Sequence, residues 1–245
     1  RSILTRPFTL DRQQGISVYG RLFRERLADL TYHVSVLTGT GRGEVENDDS
    51  HLMYVGRLQW NFLGRELPMT SSDLAYSEKP VALLAAAAAT NRSPYTRFSQ
   101  AGGGQLIGYE DGEAGQYRVN QGMVETALMY RGLSWQNEFH WKQISDRING
   151  GTTGLWGSYY QLGYFFNNLW EVIPEDLELS ARYARYVPDT DFSEVFEEEF
   201  TFGLNWFFNG HRNKLTAEVS VFDFQTGIQE FENRTRFRIQ WDISF

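Results

Sequence analysis

The chain has 245 residues, a net charge of −8, no cysteine and 16% aromatic residues. The acidic balance argues against a nucleic-acid partner, because no general basic field is available to attract phosphates. The lack of cysteine excludes thiolate zinc sites, disulfide scaffolds and cysteine nucleophiles.

Arg1 to Gln14 has no clear period and contains Pro7, which predicts a loop or a short irregular segment. Alternation then begins. Strands are predicted over Gly15–Phe23, Thr31–Thr38 and Leu52–Phe62, the last with Tyr54, Leu58, Trp60 and Phe62 opposite Arg57, Gln59 and Asn61. Hydrophilic connections separate them, including Gly39–Ser50 and the unusually long Gly64–Lys79. Val81–Thr90 (VALLAAAAAT) has strong helical propensity, yet ten residues without caps make a marginal helix, and we read it as a strand. It belongs to the longest apolar run, which is too short for a membrane-spanning helix.

Asn91–Gly115 is a long polar loop with a glycine run at Gly102–Gly104. Further strands follow at Gln116–Tyr130, Leu133–Gln143, Leu155–Phe166, Leu177–Tyr186, Phe200–Phe208 and Lys214–Phe222. Turns are expected at Arg131-Gly132 and Asn209-Gly210-His211, and loops at Ser145–Gly154 and Val187–Glu197. The chain ends in Arg234–Phe245, where Phe237, Ile239, Trp241, Ile243 and Phe245 alternate with Arg238, Gln240, Asp242 and Ser244.

These roughly eleven alternating segments, with connections expected to alternate short and long and with Trp and Tyr repeated at strand ends, point to one all-β domain over 1–245. A soluble sandwich has no reason for either feature. The expected architecture is a transmembrane antiparallel β-barrel in the outer membrane. If the last strand ends in the periplasm, counting back eleven strands starts the first one outside. Bacterial barrels have even strand numbers, so either Arg1–Leu10 hides a twelfth strand or strands lie upstream, and we favour the second. The same parity puts the long Gly64–Lys79 connection on the periplasmic side, against the trend.

The polar face of these strands holds the candidate pore-lining residues Arg21, Arg57, Lys142, Arg182, Lys214, Arg236 and Arg238, with Glu125, Glu138, Glu178, Glu218 and Asp242. Opposite charges on neighbouring strands would pair across the wall and set a transverse field in a wet pore. No catalytic, metal or cofactor site is expected. His33, His51, His140 and His211 are scattered without ligand spacing. Ser134 and His140 share the inward face, but no His-x-Ser-Asn-Gly stretch accompanies them. The acidic runs Glu197–Glu199 and Glu44, Glu46, Asp48, Asp49 are read as solvated loop surface, with calcium or lipopolysaccharide bridging as the alternative. The glycine run has no strand–helix context and is a flexible loop, not a phosphate cradle.

The stretches DRQQGISVYGRL (11–22), TYHVSVLTGTGRGEVENDDSHLMYVGRLQWNFLG (31–64), MYRGLSWQNEFHWKQI (129–144), GSYYQLGYFF (157–166), LELSARYARYV (177–187), FGLNWFFNGHRNKLTAEVS (202–220) and RFRIQWDISF (236–245) together resemble the phosphate-selective porin O/P family. The resemblance implies a trimeric, sixteen-stranded outer-membrane channel that passes small hydrophilic solutes, anions such as phosphate among them, with outer-membrane lipids and lipopolysaccharide as neighbours. It also implies that Phe245 is read by the outer-membrane insertion machinery. The other readings are a structural or interaction barrel within a larger assembly and, behind it, an outer-membrane enzyme.

Overall fold

A computed structural model of the chain describes residues 2–41, 49–68, 70–100, 102–225 and 234–244. Among them, eleven strands form one antiparallel sheet in strict sequence order. They are β1 (Gly15–Leu22), β2 (Leu30–Leu37), β3 (Met53–Trp60), β4 (Val81–Ser93), β5 (Tyr117–Tyr130), β6 (Leu133–Asp146), β7 (Thr152–Phe165), β8 (Leu177–Val187), β9 (Phe196–His211), β10 (Asn213–Gln225) and β11 (Arg234–Ile243). Among the described residues helix is confined to one α-helical turn, α1 (Thr5–Phe8), and two short 3-10 turns. No helix among the described residues is long and apolar enough to cross a membrane. The sheet is all-β as expected, with β1 and β11 as its two edges.

What keeps the sheet in phase is register. One row runs Trp60, Leu84, Thr126, Asn137, Tyr160, Tyr183, Phe200, Val221, each paired with the next across seven ladders. A one-residue slip in any ladder would move that strand's apolar set to the other face. The shift in the β9–β10 ladder lies at its end, at Asn213/Lys214, where little is left to flip.

The alanine-rich segment is a strand, paired with β3 over Leu84–Thr90 and with β5 along Val81–Ser93. Two full ladders outweigh the helical propensity of an uncapped ten-residue stretch. Several boundaries differ from the sequence reading. β4 continues to Ser93, β6 to Asp146, and β7 begins at Thr152. β9 begins at Phe196, so Glu197, Glu198 and Glu199 alternate along a strand and are not an acidic loop. Strands β9 and β10 are separated only by Arg212, while at the β5–β6 turn Arg131 and Gly132 both take positive φ (48° and 81°), the twist a two-residue hairpin needs. Residues 2–14 hold α1 and no strand, so the twelfth strand considered for Arg1–Leu10 is not found among the described residues.

Connections 38–52, 94–116, 147–151 and 188–195 leave one rim of the sheet, here the upper rim. Connections 23–29, 61–80, 131–132, 166–176 and Arg212 leave the lower one. The expected alternation of short and long holds only in part: 61–80 and 166–176 are long connections on the lower rim. Glu44, Glu46, Asp48 and Phe245 lie outside the described residues.

Candidate functional site

The two faces of the sheet have opposite chemistry. Val18, Val34, Leu58, Leu84, Val124, Phe139, Leu162, Leu179, Phe202 and Ile239 all point to the outer face and are exposed, Phe202 by 62% and Ile239 by 77%. Burial in water would drive such residues inward. Aromatic rings mark both margins of this face: Trp60, Tyr130, Trp135, Tyr164, Trp206 and Trp241 toward the lower rim, and Tyr54, Trp141, Trp156 and Tyr183 toward the upper.

Every candidate pore-lining residue falls on the other face: Arg21, Arg57, Glu125, Glu138, Lys142, Glu178, Arg182, Lys214, Glu218, Arg236 and Arg238, with Asp242. Many of them pair. Arg57 reaches Glu125 at 2.5 Å from β3 to β5, across β4, where the intervening inner residues are only Ala85 and Ala87. Small side chains on β4 thus leave room for an ion pair that skips a strand. Arg182 on β8 meets Glu199 on β9 at 2.7 Å, a partner that the loop assignment had hidden. Arg238 and Arg236 share Glu218 at 2.9 and 3.6 Å. Glu138 stands directly opposite Glu125 and is stabilised by His140 Nε2 at 2.7 Å and the Tyr159 hydroxyl at 2.8 Å, which offset the like-charge contact. Lys214 lies over the Phe207 ring at 5.7 Å.

Three segments fold onto this inner face. From the lower rim, 61–80 buries Leu67 against Val81, Leu83, Ala85, Ala127 and Met129. Its Ser72 donates to Glu178 at 2.8 Å, and Asp73 accepts from the Gly132 amide at 2.9 Å. From the upper rim, 94–116 and the segment bearing α1 pack together: Phe98, Leu106, Leu4 and Phe8 form one cluster with the inner residues Met53, Val119, Ile144, Leu155 and Tyr186. The amide of Ile3 donates to Glu199 at 2.8 Å. A Cβ at Gly157 would overlap Leu4, so this glycine is the seat of α1 on the wall.

The buried wall charges therefore serve as anchors. Glu178, Glu199 and Lys142 are each 1% exposed or less, and each binds an inserted segment. Glu178 has hydroxyl and amide partners in Ser72, Asn205 at 2.8 Å and Ser134 at 3.5 Å, which meet the demand of a desolvated carboxylate. Sequence reasoning missed these segments. Their signal was present as apolar residues at positions whose parity should be polar, such as Val119, Ile144 and Leu155.

Between the inserted segments the inner face stays open. One cavity of about 790 Å³ is lined by Tyr19, His33, Arg57, Gln59, Glu125, Gln136 and Glu138. A smaller one of about 190 Å³ lies beside Arg182, Lys214, Glu218, Arg238 and Asp242. Ser134 and His140 are six residues apart along one strand, roughly 20 Å, and have separate partners, Glu178 and Glu138. Among the described residues no group of three or more His, Asp or Glu could hold a metal ion. No family model matches the chain, and no curated protein matches it either.

At the lower rim, outside the strands, Asp29 is fully buried and receives Arg21 at 2.5 Å, Asn61 at 3.1 Å and the Glu25 amide at 3.1 Å. The Arg21 hydrogen bond leads in pulling its carboxyl from 3.8 down to about 2, against desolvation. A depressed folded-state pKa contributes stability above the unfolded value, lost as pH falls through the folded one. Denaturation midpoints should therefore fall between about pH 4 and pH 2. An Asp29→Asn variant should be less stable at neutral pH and show a weaker slope in that window.

Proposed function

We propose that this chain forms wall of an outer-membrane porin, a passive diffusion channel for small hydrophilic solutes. The observation that carries this reading is the division of faces: exposed apolar residues with aromatic margins outside, charged residues and cavities inside. A lipid-facing, water-lined barrel wall requires that division. In hydrocarbon an open sheet edge would leave backbone donors and acceptors unsatisfied. The edges β1 and β11 must then be paired, either with each other or with further strands. Further strands at these edges would complete the sixteen-stranded barrel that the porin O/P resemblance implies, and a homotrimer surrounded by lipopolysaccharide comes from the same resemblance. Anion passage, phosphate included, would rest on Arg57, Arg182, Lys214, Arg236 and Arg238 lowering the barrier beside their carboxylate partners.

A second reading, a structural or interaction barrel whose pore is incidental, is favoured by one observation: α1 and 94–116 occupy the upper part of the inner face.

Lipid exposure is directly measurable. Trp60, Trp135, Trp141, Trp156, Trp206 and Trp241 lie on the outer face, leaving only Trp170 of the seven tryptophans in a connection. In vesicles of brominated phosphatidylcholine, most of the tryptophan fluorescence should be quenched relative to unbrominated vesicles. Emission insensitive to bromine would place these rings in water or in a protein core and end the membrane reading.

A further inference from the structure

Lys142 is a single point at which two of the inserted segments meet the wall. Its side chain is 1% exposed, and its ammonium is met by main-chain carbonyls and ring faces rather than by a carboxylate. One carbonyl, Pro7 O, comes from the α1 segment, and the other, Thr96 O at 3.4 Å, from 94–116. One ring from each segment flanks it as well, Phe8 at 5.8 Å and Phe98 at 6.0 Å. The segments also bond to each other, from the Asp11 amide to Phe98 O at 2.7 Å.

We propose that the α1 segment and 94–112 form one plug, latched to the wall by Lys142, and that the plug must leave the wall for the upper part of the channel to open. The gating half of this statement rests on the channel reading; the latch does not. A buried ammonium is tolerable only while its donors are satisfied. If α1 departs, Lys142 loses Pro7 O and the Phe8 face, water reaches the charge, and its hold on Thr96 O loses most of its value. Release of either segment therefore weakens the other. Two further ties of the α1 segment, Ile3 to Glu199 and Gln121 to Phe8 O at 3.0 Å, fix it to the wall, while the Asp11–Phe98 bond and the packing of Leu4 and Phe8 with Phe98 and Leu106 hold it directly to 94–112.

Two variants of the membrane-reconstituted chain test the latch from opposite sides. Lys142→Met removes the post, and Gly157→Val fills the seat beneath Leu4 and Phe8, where a Cβ would meet Leu4, Phe8 and the Arg185 carbonyl first. Hydrogen–deuterium exchange is read separately in residues 2–12 and 94–112, with the amides of β6, β7 and β8 confirming that the sheet stays folded. The latch predicts that each variant speeds exchange in both segments together, by at least about tenfold for loss of a charge-assisted hydrogen bond. If Gly157→Val frees only residues 2–12, or Lys142→Met changes neither segment, the latch is overturned. Conductance of the same samples tests the gate: both variants should conduct severalfold more than the parent chain. Joint release with unchanged conductance in a conducting protein overturns the gate. Joint release in a protein that never conducts overturns the channel reading and leaves the latch standing.

Discussion

Replacing Val124 by arginine should destabilise the membrane-inserted protein by about 2–4 kcal/mol, the cost of a cation at mid-depth on the lipid side of a barrel strand. Val124 stands midway along β5, between Ala86 and Phe139 on the outer face, and is 47% exposed. If that face met water, the same substitution would fall within about 0.5 kcal/mol, as exposed changes usually do. The matched control is Gln136→Arg on the inner face, where the new guanidinium enters the larger cavity next to Glu138 and should be nearly neutral. Urea denaturation of the chain folded into short-chain lipid vesicles measures both. Equal effects of the two substitutions would contradict the assignment of faces.

Arg182→Met should cost about 3–5 kcal/mol, because it leaves the Glu199 carboxylate buried without a countercharge. Glu199 is fully buried and holds the Arg182 guanidinium at 2.7 Å, the Thr201 hydroxyl at 2.8 Å and the Ile3 amide at 2.8 Å. The last two bonds are too few to satisfy an ionised carboxylate away from water. Adding Glu199→Gln to Arg182→Met should recover most of the loss, since the unpaired charge, rather than the absent pair, carries the penalty. A double variant no more stable than Arg182→Met alone would show that the pair is not what Glu199 depends on. Since Glu199 also accepts from the Ile3 amide, Glu199→Ala alone should loosen residues 2–12.

The sheet was legible in the sequence because a strand with one apolar and one polar face has a period of two that no other element shares. All the charged residues assigned to the inner face from parity alone are on one face, since the ladders hold a single register over most of their length. Val81–Thr90 was harder, and for a physical reason: its inner side is covered by 61–80 and needs to clear the Arg57–Glu125 pair, so small apolar residues occupy both parities. The inserted segments were not legible. Polar composition marks 61–80 and 94–116 as connections, but whether a connection stays in water or turns inward is decided by a few residues such as Leu67, Phe98 and Leu106. Their inner-face partners appear in the sequence only as isolated breaks of parity. Glu197–Glu199 shows the opposite error. Three consecutive carboxylates look like solvated loop, yet each has a different environment in β9: Glu199 pairs with Arg182 inside, Glu198 meets Arg185 at 3.3 Å outside, and Glu197 lies beside α1.

The most direct measurement is conductance across a planar lipid bilayer. Protein whose insertion has been verified by tryptophan quenching is added to one side, and current is recorded in symmetric salt and then across a salt gradient. A channel wall of this design predicts discrete, ohmic current steps, with a reversal potential of the sign set by anion preference. A reversal potential of the opposite sign would contradict the anion assignment while leaving the channel. Bilayers that stay silent with inserted protein, in the parent chain and in the Lys142→Met variant alike, would contradict the proposed function itself.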